Sequence, residues 1–70
     1  MITINQDVIA DIKAEAAEFG FPATSESIAR DYFNRMSYED KAAVFLMVEA
    51  KGVTALSRAS VSKVAELIAA

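Results

Sequence analysis

The chain has 70 residues, 54% of them hydrophobic, a net charge of −3, and no Cys or His. That length allows one domain, residues 1–70, which buries only about 60% of the surface its unfolded chain exposes. With neither Cys nor His, disulfides and the usual structural zinc site are excluded, so stability has to come from regular helix packing or a second subunit.

High hydrophobicity with low net charge also excludes a disordered chain. The apolar content exceeds what one small core can hide, which points to a homodimer. No basic region followed by an apolar run opens the sequence. The longest apolar stretch, Ala42 to Val48, is far short of the roughly 20 residues that span a bilayer. The expectation is a cytoplasmic protein without a membrane partner.

Ile2 and Ile4 alternate with Thr3 and Asn5, the period of a short half-buried strand. Asn5 is placed to cap a helix over Gln6 to Phe19, where Val8, Ile9, Ile12, Ala16 and Phe19 share one face. Gly20 and Pro22 end it. Thr24 or Ser25 caps a second helix with the stripe Ile28, Ala29, Tyr32, Phe33 and Met36. Ser37 opens a third, in which Ala42 to Val48 is apolar all round. That helix is expected to be the most buried and to end at Lys51-Gly52. Thr54, Ser57 and Ser60 are alternative caps for a last helix bearing Val61, Val64, Ala65 and Ile68, and residues 53–59 read as either a turn of helix or a loop. The expected fold is mainly α: a short N-terminal strand followed by three to four helices in a small, dimeric bundle.

The chemistry is restricted. Histidine and cysteine, the common general base and nucleophile, are absent. The two glycines stand alone, so there is no phosphate loop. Glu39-Asp40, the one adjacent carboxylate pair, fits no calcium loop and reads as an acidic helix start. No enzymatic activity, cofactor, metal or small-molecule substrate is expected. Binding is what remains.

Charge is uneven. Residues 1–50 hold nine acids against four bases, a net of −5, and residues 51–70 hold three bases against one acid, a net of +2. Asp7, Asp11, Glu15 and Glu18 stand at helical spacing as an acidic ridge, read as a solvated face or as a docking surface for a basic protein. Arg58 and Lys63 lie among small hydroxyl residues in the segment from Ser57 to Val64. That segment resembles a helix-turn-helix recognition element, with an ordinary surface helix as the alternative.

Residues 1–36 resemble the ribbon-helix-helix superfamily of DNA-binding repressors. The strand is Ile2-Thr3-Ile4, the paired apolar residues Val8-Ile9 lead to Ile12, Ala16, Phe19 and Gly20, and the second helix begins at Thr24-Ser25-Glu26. The resemblance implies an obligate dimer whose paired strands enter the major groove of duplex DNA, with the outward residue Thr3, and Met1 and Asn5 beside it, at base edges. It also implies that Thr24 and Ser25 anchor a phosphate. The remainder, residues 37–70, would form a C-terminal helical pair. Two functions follow as expectations: a dimeric DNA-binding transcriptional repressor using Thr3, Asn5, Thr24, Ser25, Arg58 and Lys63, or an acidic inhibitor or adaptor of the kind phages often encode. The latter would bind protein through Asp7, Asp11, Glu15 and Glu18 or through an apolar helix face.

Overall fold

A computed structural model describes residues 2–70 of the chain. Four helices follow one another: α1 (Gln6–Phe19), α2 (Ser25–Arg35), α3 (Tyr38–Met47) and α4 (Val53–Ala69). The first three start where short polar side chains reach orphan backbone N–H groups. The Asn5 Oδ1 accepts from the Asp7 N–H at 2.9 Å, and the Ser37 Oγ accepts from the Asp40 N–H at 3.2 Å. Thr24 caps α2 reciprocally. Its Oγ1 accepts from the Ser27 N–H at 3.1 Å, and its own N–H donates to the Ser27 Oγ at 2.9 Å. Gly20 closes α1 with φ 74°, and the Phe21 N–H donates to the Ala16 carbonyl at 2.8 Å. A residue with a Cβ would be strained in that left-handed turn.

The expected N-terminal strand is absent: among the described residues there is no β-strand at all. Ile2 and Ile4 are half-buried and Thr3 is exposed, so the alternation is real, but no second strand lies beside it to form a ladder. Instead both isoleucines pack on the helical core. The Asn5 N–H finds its acceptor in the Tyr32 hydroxyl of α2, at 2.8 Å.

α2 packs most extensively on α4, α1 leans on α2, and α3 leans on α4. The core is Ile9 and Ile12 of α1, Ile28, Ala29 and Tyr32 of α2, Val44 of α3, and Val61 and Val64 of α4. Phe19, placed by periodicity on the buried face of α1, is instead exposed at the helix end. Ala29 and Ser60 are both wholly buried, one on each of the two central helices, and small residues there let the backbones approach closely. The Ser60 Oγ has no hydrogen-bond partner. A buried hydroxyl left unpaired costs about 1–3 kcal/mol. Ser60→Ala is therefore expected to raise stability by about 1 kcal/mol, read as a higher urea midpoint at unchanged slope. A lower midpoint would mean that the hydroxyl is satisfied in solution.

The second half departs further from expectation. α3 stops at Met47, with Val48 extended at φ −119° and ψ 150°, rather than running to Lys51-Gly52. α4 begins at Val53 and is continuous through residues 53–59, without a side-chain cap from Thr54, Ser57 or Ser60. Gly52 takes φ 88° and ψ 160°, a conformation open to glycine alone, and its carbonyl accepts the first helical bond from the Leu56 N–H at 3.0 Å. α3 is also not the most buried helix. Only Val44 is buried in it, whereas α2 and α4 each bury three residues.

Candidate functional site

The residues expected to contact DNA do not form one surface. Thr3 is exposed in the N-terminal segment, on no ribbon, and Met1 lies outside the described residues. The side chain of Asn5 is occupied in capping α1 and that of Thr24 in capping α2. Lys63 is half-buried and lies 3.4 Å from Glu66 on its own helix. Ser25 and Arg58 are brought together, facing each other across an open groove between α2 and α4. Arg30 lines the same groove but pairs with Glu26 at 2.8 Å, so its charge is partly offset where a phosphate would bind.

The acidic ridge exists as a surface. Asp7, Asp11, Glu15 and Glu18 are all exposed on α1. Glu15 is not free, because it pairs with Arg35 of α2, which also holds Asp31 at 2.8 Å. The hydrogen bond to Asp31, then that to Glu15, holds the Arg35 pKa above its ordinary value. The pair fastens α1 to α2 and leaves Asp7, Asp11 and Glu18 as the solvated part of the ridge. No group of three or more acidic residues among the described residues converges to hold a metal ion. Nor is any described helix long and apolar enough to cross a membrane.

A further feature is apolar, and it lies on α3. Tyr38 is 87% exposed, Leu46 89% and Phe45 41%. With exposed Ala42 they stand at steps of four, seven and eight residues, one continuous helix face. Glu39, Asp40 and Glu49 border it in sequence on the acidic side and Lys41 on the basic side. Behind it, Phe45 meets Phe33 of α2 with ring centroids 5.8 Å apart and planes tilted by 59°. The Lys41 ammonium lies 5.8 Å from the same Phe33 ring, a cation–π contact. The root of the face is thus packed against α2 while its outer side chains meet solvent. Sequence periodicity missed this site because an all-apolar run does not show which side is covered; the signal was the spacing Tyr38, Ala42, Phe45, Leu46. A smaller aromatic pair, Phe19 and Phe21, is exposed at the end of α1.

The total surface is large for the mass. The chain exposes 5071 Å², whereas a monomer of 7.5 kDa is expected to expose about 4250 Å².

The chain matches no protein-family model, no curated protein and no solved structure.

Proposed function

We propose that this protein is a small non-enzymatic interaction protein that engages another polypeptide through the apolar face of α3. The observation that carries this reading is the exposed row Tyr38, Ala42, Phe45 and Leu46. Single exposed apolar residues are ordinary on any protein, but a contiguous row on one helix marks a binding surface. Large aromatic and aliphatic side chains on a helix are the usual anchors of helix-in-groove and helix-on-helix recognition. On this reading the acidic side of α1, with Asp7, Asp11 and Glu18, keeps the chain soluble and rejects acidic partners.

A second reading has one observation in its favour. Ser25, Arg30 and Arg58 line one groove, which makes it the place where duplex DNA would bind if the protein were a repressor. Its cations are few, and non-specific DNA affinity grows with the number of phosphates neutralised.

One experiment separates the two. A photoreactive benzophenone side chain is placed at Leu46 on α3, and in a second version at Ser62 in the groove. Adducts to polypeptide from position 46, with none to nucleic acid from position 62, are expected. Nucleic-acid adducts from position 62 with no protein adducts from position 46 would reverse the order of the two readings.

A further inference from the structure

We infer that the cleft between the C-terminal end of α1 and α2 is a second binding site, and that it takes an arginine side chain of a basic polypeptide. The local backbone builds it. α1 ends at Phe19, Gly20 turns the chain back with φ 74°, and the Phe21 N–H donates to the Ala16 carbonyl at 2.8 Å. That turn sets Phe21 beside Phe19, with ring centroids 6.3 Å apart and planes tilted by 32°. Both rings are exposed, Phe19 at 67% and Phe21 at 68%. Paired in this way they form a patch, not two scattered apolar residues.

The rings border an open cleft of about 260 Å³, lined also by Ile12, Ala16 and Ile28. Small-molecule sites usually hold about 300–1,000 Å³, so this one has room for a single long side chain. Charge selects a cation. Glu15 and Asp31 are the ionised residues of the lining, and among the described residues no base lines it. These two carboxylates share one counter-ion, Arg35, which leaves one negative charge in excess. A carboxylate offers about four lone-pair positions, so both retain room for a second donor.

A guanidinium suits this combination better than an ammonium. It is planar, so it bonds a carboxylate edge-on while its face lies against an aromatic ring. The last turn of α1 holds no base, and the carbonyl end of a helix favours a positive group. Asp11 and Asp7 stand exposed about one and two turns before Glu15, so acids continue from the cleft along α1. Like charges at four-residue steps repel one another. A polypeptide with several basic residues relieves that repulsion along the helix, whereas a lone cation relieves it at one point only.

The site lies between α1 and α2, so it stands or falls separately from the apolar face of α3. The probe is a fluorescein-labelled peptide of three arginines set apart by three alanines each, the step that relates Asp7, Asp11 and Glu15. Anisotropy titration with the full chain at low ionic strength should show saturable binding that weakens as salt is added. Phe19→Ala and Phe21→Ala replace exposed side chains, so the helical circular dichroism should persist. Each should weaken binding by about 5-fold through loss of the cation–π contact. A peptide with lysines in place of the arginines should bind more weakly by a similar factor. Absence of binding, or binding that both phenylalanine variants leave unchanged, overturns the cleft as the site. Equal affinity for the lysine peptide overturns the assignment to arginine. Arginine amide binding as tightly as the peptide overturns the assignment to a polypeptide.

Discussion

Tyr32→Ala is expected to destabilise the protein by about 4 kcal/mol, within the range for removing a buried aromatic side chain. Domains of this size have roughly 4–10 kcal/mol in total, so the variant should be largely unfolded at moderate temperature. Two losses combine. The ring is buried between the N-terminal segment and the core of α2, and its removal leaves a cavity. The hydroxyl is the acceptor for the Asn5 N–H at 2.8 Å, and without it that donor loses its partner just before α1. Tyr32→Phe separates the terms, because it keeps the ring and removes only the acceptor. It is expected to cost about 1 kcal/mol, the usual net value of one hydrogen bond. Urea denaturation followed by circular dichroism reads both. If Tyr32→Phe cost nothing, the tie between Asn5 and α2 would not exist in solution.

The second large effect is expected at the crossing of α2 and α4. Ala29 is completely buried in the most extensive helix–helix contact of the fold. Ala29→Leu adds three carbons where there is no free volume, and the two backbones must separate or the side chains must leave their rotamers. Overpacking of this kind typically costs 1–3 kcal/mol and occasionally more, and about 3 kcal/mol is expected here because the contact organises the rest. Ala29→Gly is the control, since it removes bulk and costs about 1 kcal/mol through helix propensity alone. Equal tolerance of leucine and glycine would show that α2 and α4 are not closely packed at this point. The result also bears on Ser60, the wholly buried small residue on α4. If the crossing is tight, Ser60→Ala should be tolerated and a larger residue should not.

The residues expected to contact DNA are spread over the N-terminal segment, the start of α2 and the last helix. Of Thr3, Asn5, Thr24, Ser25, Arg58 and Lys63, only Ser25 and Arg58 line a common groove. Asn5 and Thr24 are consumed by capping. Lys63 is paired with Glu66. The acidic ridge is present, but its third member, Glu15, is bonded to Arg35 and acts within the fold. Charge reversal at Asp7, Asp11 or Glu18 therefore probes a surface, whereas reversal at Glu15 probes the joint between α1 and α2.

What the residues determined by themselves is local. Helix α1 begins after Asn5 and ends at Gly20, α2 begins at one of the two caps the sequence offered, Thr24 rather than Ser25, and α3 begins after Ser37, because each signal acts through bonds between residues no more than about five apart. The buried stripe of α2 was equally legible, since a 3.6-residue period writes a face into the chain. Three features waited on the tertiary structure. The alternating Ile2-Thr3-Ile4 segment could become a strand only with a neighbour to bond, and the neighbour it has is a helix offering a tyrosine hydroxyl. The start of α4 rests on the backbone of Gly52, not on a capping side chain, so the nearby hydroxyl residues misdirected the reading. The apolar run in α3 does not say which of its faces is covered. That depended on how much of α3 the packing on α4 would reach, and it left Tyr38, Phe45 and Leu46 facing outward.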